Sequence, residues 1–187
     1  MNLPNRITVL RILLIPVVIV LMMIHSSAAQ WAAAVVFVVA ALTDLIDGKI
    51  ARSRNLVTDF GKFLDPIADK LLVLGAMTML VEQGKLAGWI VIVFLAREFV
   101  ISAFRMIAAS SGTVIAAGKL GKIKTLLQSF AVPMLMLLKP TGGASPLFGA
   151  FGVALSDVFT WAAMLMAVVS CVDYIMKNRE IMKGWKM

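Results

Sequence analysis

Cysteine, histidine and acidic residues are scarce in this 187-residue chain, and each scarcity excludes a class of chemistry. The one cysteine, Cys171, lies in an apolar run, so neither a disulfide framework nor a zinc set is available. The one histidine, His25, removes His-based triads and most transition-metal sites. Chemistry must therefore rest on carboxylates and bases. Acidic residues number 10 against 18 Lys and Arg, giving a formal charge of +8 and a pI near 10. Such a balance can mark a nucleic-acid partner. Here the basic residues fall in gaps between apolar runs, which favours anionic lipid headgroups and phosphorylated substrates and argues against nucleic acid. Internal repeats and low-complexity stretches are lacking too, so a single domain over residues 1–187 is expected.

What the chain has in abundance is apolar surface. It is 61% hydrophobic with a mean hydropathy of +0.96, more than a soluble domain of this size could bury, so it reads as an integral membrane protein. Hydropathy gives six spans, roughly 7–25, 29–47, 65–82, 87–108, 122–138 and 148–176, each near the length needed to cross a bilayer. Leu3 to Ile24 lacks a small-x-small site after a short apolar core, so it is expected to be a retained helix and not a cleaved signal. Pro4 and Asn5 read as a turn and helix start, and Thr141–Pro146 as a breaker between spans five and six.

Basic residues orient the spans. Arg6 and Arg11, then Lys49, Arg52, Arg54 and Lys62, then Arg105, Lys119, Lys122 and Lys124, then Lys177, Arg179, Lys183 and Lys186 fall on alternate sides from Lys85 and Lys139. Both termini are thus expected in the cytoplasm, in a multi-pass arrangement.

Four aspartates break the apolar pattern: Asp44-x-x-Asp47-Gly48-x-x-Ala51-Arg52, then Gly61-x-x-x-Asp65-x-x-x-Asp69. A carboxylate at membrane depth costs about 2.5–3.5 kcal/mol on insertion scales, so four within 26 residues require compensating charge. Asp44 and Asp47 are three apart and Asp65 and Asp69 four apart, spacings that put each pair on one helix face. The 17-residue connection from Gly48 to Leu64 returns the chain to the same membrane surface, so the pairs can face each other. Facing oxygen ligands suit hard divalent cations such as Mg²⁺, and two such ions can clamp a pyrophosphate. Gly48 and Gly61 remove side-chain bulk where backbone must approach a ligand. Arg52 can balance the acids or bind a phosphate through its planar fork. The competing structural reading makes Asp65 an N-cap, with Pro66 in the first helical position, or pairs it with Lys70 or Arg52. Asp59 reads as a solvated loop carboxylate.

The spacing D-x2-D-G-x2-A-R-x8-G-x3-D-x3-D resembles the signature of the CDP-alcohol phosphotransferases, with every position matched. That family transfers an alcohol onto a cytidine-diphosphate-activated lipid with two divalent metals and releases CMP. The resemblance implies that Asp44, Asp47, Asp65 and Asp69 hold two ions, Mg²⁺ or Mn²⁺, and that Asp69 is also the base. It implies that Gly48, Ala51, Arg52 and Thr58 line the pocket for cytidine and diphosphate of CDP-diacylglycerol. The opening Pro4-Asn5-x-x-Thr8-x-x-Arg11 resembles the family's first segment, so Asn5, Thr8 and Arg11 would border the nucleotide. A homodimer in a bacterial-type cytoplasmic membrane is implied as well.

The acceptor is read from the remaining bases. Arg97, Arg105, Lys122 and Lys124 gather on the cytoplasmic side of spans four and five, where a second phosphate would need them. Arg97 and Arg105 lie eight apart, roughly on one face and within or beside an apolar span, and their expected burial argues for a ligand. Glu98 could pair locally with either. Ala96-Arg97-Glu98-Phe99, Gly121–Thr125 and Gly61–Pro66 are similar to segments of the phosphatidylglycerophosphate synthases, which implies sn-glycerol 3-phosphate as acceptor. Inositol phosphate or serine are the sibling alternatives. An intramembrane prenyltransferase also pairs aspartate motifs but lacks the Gly-x-x-Ala-Arg continuation, and a cation transporter would spread its acids over several depths. Elsewhere, Asp157 reads as a helix-start charge, Asp173 as a partner for Lys177, and Trp89 and Trp185 as interfacial anchors. The expected fold is all-α, with six transmembrane helices around a polar cavity open to the cytoplasm.

Overall fold

Apolar runs of about twenty residues separated by short polar turns leave the backbone one economical way to satisfy its own hydrogen bonds, the α-helix. The computed structural model describes residues 3–53, 59–110, 115, 118–138 and 149–179, with the backbone alone described at 3–6, 44–53, 59–60 and 62–63. Among these residues six helices follow in order: α1 (Leu3–Met23), α2 (Ser27–Ser53), α3 (Asp59–Glu82), α4 (Gly88–Ser110), α5 (Lys119–Leu138) and α6 (Gly149–Lys177). The expected all-α order is borne out. Helix α1 packs on α2 and α3, α5 runs along α6 and touches α2, α4 lies on α6, and α3 meets α4 and α5.

Burial runs opposite to a soluble protein's. On α1 the buried positions are Thr8, Arg11, Ile15, Val18 and Met22, at alternating spacings of three and four, while Leu10, Leu13, Val17 and Val20 are exposed. On α6 the buried face is small or polar (Ser156, Thr160, Ala163, Ala167, Ser170), and Val158, Trp161, Leu165, Val172 and Met176 face outward. The inward hydroxyls return their protons to the helix itself: Ser156 to Val153 O, Thr160 to Ser156 O and Ser170 to Ala167 O. Small inward residues let helices approach closely, which is how helices pack when the surrounding solvent is as apolar as they are. Phe37, Leu72, Leu80, Phe94, Leu135 and Met136 fill the remaining core. By length and composition α6 is apolar enough to cross a membrane, and α1 and α2 hold shorter apolar stretches, Ile7–Met23 and Ser27–Thr43.

Four expectations change. Helix α2 continues to Ser53, so Gly48, Ala51 and Arg52 belong to a helix and not to the connection. Helix α3 starts at Asp59, which therefore opens a helix and is not a loop residue. Asp65 and Pro66 consequently lie inside α3, and Asp65 is not its N-cap. The physical reason is that Lys, Ile, Ala and Arg are all compatible with helix, so its hydrogen bonding extends beyond the apolar run that hydropathy detects. Pro66 costs α3 one internal hydrogen bond, since proline has no N–H. Likewise Pro4 sits in the first turn of α1, where a missing N–H is harmless, and not in a turn before it.

At the opposite end of the bundle from the aspartates, Gly84 takes a positive φ of 69° in the turn between α3 and α4. The next residue, Lys85, is buried. Its ammonium donates to Gln30 Oε1 (3.0 Å) and Met136 O (3.2 Å), tying this turn to α2 and α5. Gln30 and Gln83 both donate to Met22 O, at 3.4 and 2.6 Å. Burial pulls the Lys85 pKa down from 10.5 to about 8. Trp89 is half exposed and tilts against Trp161 with ring centroids 5.6 Å apart. Thr58, Trp185 and the Thr141–Pro146 breaker lie outside the described residues.

Candidate functional site

Helix α3 carries Asp65 and Asp69 four residues apart, both partly exposed. Thr8, buried on α1, donates a 2.6 Å hydrogen bond to Asp65 Oδ1. A residue expected beside the nucleotide thus rests on one of the aspartates. Arg11, one turn further along α1, is buried. Asn5 falls in the first turns of α1, and positions 44, 47, 48 and 51 recur at helical spacing on one face of α2, which packs against α3. Among the described side chains no group of three potential ligands meets, and Asp44 and Asp47 lie outside those side chains. The donor set itself, all carboxylate oxygen, fits a hard divalent ion and not a soft one.

Beside Asp69 opens a cavity of about 720 Å³ between α2, α3, α4, α5 and α6. One end is apolar, with Val38, Leu42, Val73, Leu126 and Phe130. The other is strongly polar: Asp69 and Lys70 from α3, Arg97, Glu98, Ser102 and Arg105 from α4, Lys122 from α5 and Asp173 from α6. Three of the four bases singled out in the sequence, Arg97, Arg105 and Lys122, therefore share one cavity with Asp69. Lys124 lies in an adjoining pocket of about 70 Å³, which Asp69, Lys70, Arg97 and Glu98 also line.

The order of this polar end comes from Glu98. Its Oε1 accepts from Arg97 Nη1 and Lys124 Nζ, each at 2.8 Å, and its Oε2 lies 3.8 Å from Lys70 Nζ. Lys70 also donates to Ser102 Oγ at 2.6 Å. The Arg97 guanidinium reaches Ser170 on α6 through Nε (3.4 Å) and presses on α5, where a Cβ at Gly121 would come within 2.8 Å of Nη2. Lys124, only 4% exposed, additionally sits over the Phe94 ring at 5.3 Å. The local pairing of Glu98 with Arg97 was legible in the sequence; its bond to Lys124, 26 residues away, was not.

Of the two arginines expected to be buried, Arg97 is mostly covered, with 12% of its side chain exposed, whereas Arg105 is exposed. At that point of α4 the inward position belongs to Phe104, packed edge-on against Tyr174 with centroids 5.8 Å apart. The long Arg105 side chain keeps its charged head in polar surroundings. Asp173 pairs with Lys177 as expected, at 2.9 Å. Lys70 and Ser102 were not singled out for a ligand. The signal for Lys70 is its place directly after Asp69 in the sequence.

Comparison with known proteins identifies the family. The family model for CDP-alcohol phosphatidyltransferase matches residues 1–172. A CDP-diacylglycerol–glycerol-3-phosphate 3-phosphatidyltransferase of Bacillus subtilis (strain 168) is 41% identical, covering 97% of this chain and 97% of its own. A Rickettsia felis protein of the same description is 38% identical over 92% of this chain and 93% of its own. A probable phosphatidylglycerophosphate synthase of Mycobacterium tuberculosis is 36% identical over 93% of this chain and 80% of its own. With a match that spans both aspartate pairs, α1 to α5 and most of α6, the chain belongs to the CDP-alcohol phosphatidyltransferase family.

Proposed function

We propose that this protein transfers the phosphatidyl group of CDP-diacylglycerol to sn-glycerol 3-phosphate, forming phosphatidylglycerophosphate and CMP for phospholipid synthesis. The observation that carries the reading is the near-full-length similarity to the Bacillus subtilis transferase of that description. The cavity supports it, because a phosphorylated acceptor needs cations within reach of the base, and Arg97, Arg105 and Lys122 line the same space as Asp69.

In this reading residues 1–187 form one membrane domain with six spans, both termini in the cytoplasm, and a cavity open to that side. The acyl chains stay in the bilayer while the soluble acceptor enters from the cytoplasm. Two divalent cations, Mg²⁺ or Mn²⁺, held by Asp44, Asp47, Asp65 and Asp69 would neutralise the donor pyrophosphate and the charge on departing CMP. Gly48, Ala51, Arg52 and Thr58, with Asn5, Thr8 and Arg11 from α1, border the nucleotide. Arg97, Arg105, Lys122 and Lys124 hold the acceptor phosphate and so aim its primary hydroxyl. The Asp69 carboxylate takes the proton of that hydroxyl. The freed oxygen attacks the β-phosphorus, the bond from phosphorus to the bridging oxygen breaks, and CMP carries that oxygen away. Little covalent work falls to the protein; positioning and electrostatics carry the rate. The family resemblance adds a homodimer, which cross-linking in native membranes would detect.

The test is CMP release by purified protein in vesicles containing CDP-diacylglycerol and Mg²⁺, with a panel of acceptors. Release with sn-glycerol 3-phosphate and not with inositol phosphate or serine is expected. Release with either of the others but none with glycerol 3-phosphate would transfer the chain to a sibling activity.

A further inference from the structure

The aspartate pattern ends at Asp69, and the sequence assigns no ligand to the residue after it. In the structure Lys70 lies in the wall of both pockets, with 31% of its side chain exposed. The buried Lys124 and the 12% exposed Arg97 come from α5 and α4, and all three cations converge on Glu98. Three positive groups and one carboxylate leave two net positive charges at this cluster, which matches the dianion of a phosphate monoester.

Cations from three different helices repel one another and, without an anion between them, would splay apart. Glu98 offsets that repulsion before any ligand arrives. Its Oε1 holds Arg97 and Lys124 at 2.8 Å each, its Oε2 faces Lys70 at 3.8 Å, and Ser102 fixes the Lys70 ammonium from the other side at 2.6 Å. Donors placed in advance need no reorganisation when the charge they serve appears. Of the three cations Lys70 is the most exposed and is adjacent in sequence to Asp69, so a phosphate bound by it stays close to the base.

We propose that Lys70 is a phosphate-binding residue of the acceptor site, and that Glu98 is the positioning residue that holds Lys70, Arg97 and Lys124 at one spacing. This rests on the acceptor reading above. Glu98 touches no substrate; it acts through the three cations. Glu98 Oε2 is 3.8 Å from Lys70 Nζ, beyond hydrogen-bond distance, so a phosphate oxygen can bind that ammonium while Oε1 keeps its bonds to Arg97 and Lys124.

The test uses full-length protein in vesicles and the variants Lys70→Gln and Glu98→Gln. Each should raise KM for sn-glycerol 3-phosphate by about tenfold while KM for CDP-diacylglycerol stays within about twofold. Competitive inhibition by inorganic phosphate should weaken by a similar factor in Lys70→Gln, and Lys70→Arg should recover part of the loss. A purely structural role predicts a different result: lower kcat or thermal stability with the two KM values unchanged or moving together, and that outcome overturns the proposal. If Glu98→Gln does not fold, Lys70→Gln decides, because its side chain is the least buried of the cluster. Wild-type protein that releases no CMP with glycerol 3-phosphate would sink the acceptor reading itself. An active wild type with normal acceptor KM in the variants would sink this inference alone.

Discussion

Thr8 on α1 and Asp65 on α3 are joined by a 2.6 Å hydrogen bond across 57 residues of sequence, with the hydroxyl as donor. A carboxylate oriented in this way keeps its second oxygen and remaining lone pairs for another partner. Groups that orient a metal-binding side chain typically matter by about 10–100-fold in metal affinity or activity. Thr8→Val should therefore raise the Mg²⁺ concentration needed for half-maximal CMP release by about tenfold. Thr8→Ser, which keeps the hydroxyl, should stay near wild type. Equal Mg²⁺ dependence in Thr8→Val and wild type would assign the threonine to packing.

Asp69→Asn should abolish turnover while CDP-diacylglycerol still binds. Asparagine preserves shape and one oxygen but cannot accept the hydroxyl proton. Single-turnover CMP release measures the loss, and near-normal rates in this variant would remove Asp69 from the role of base.

Arg105→Ala should raise KM for sn-glycerol 3-phosphate more than KM for CDP-diacylglycerol, by about tenfold against about twofold. Arg105 is exposed at the cavity and has no packing role comparable to that of Phe104, so a general loss of stability is not expected. Equal shifts in both constants would mark it as structural.

Lys85 makes a prediction about pH that is independent of catalysis. Its folded pKa of about 8 lies below the value of 10.5 that it has when unburied. Between those values the unfolded chain binds more protons than the folded one, so stability rises with pH in that window. The thermal midpoint of the wild type should climb from pH 8 towards pH 10, and Lys85→Met should flatten that climb. A slope that is identical in both proteins would show that other groups set it.

Much of this molecule can be read along the chain because its elements are local. Six apolar runs make six helices, and the i, i+3 and i, i+4 spacing of the aspartates survives translation into α2 and α3. The Asp173–Lys177 pair is local in the same sense. Helix ends were harder, since hydropathy reports where apolar side chains stop and not where backbone hydrogen bonding stops; α2 and α3 both run on into polar sequence. The Glu98 cluster was hardest. Its partners sit at positions 70, 97 and 124 on three helices, and only packing brings them to one carboxylate. The exposure of Arg105 is illegible for a related reason: a place near an apolar span says nothing about which face of the helix is turned inward.

The continuation of α2 through to Ser53 has a consequence for traffic. From Asp44 to Ser53 a helix rises about 14 Å, more than the thickness of one headgroup layer. In the proposed orientation the reacting groups then stand at the height of the lipid phosphates. In that arrangement the two proposed substrates would arrive by different kinds of diffusion, one sliding within the leaflet in two dimensions and the other striking from solution in three. The lipid would then react and leave sideways without its chains crossing water, and the barrier to lipid extraction would not enter the catalytic cycle.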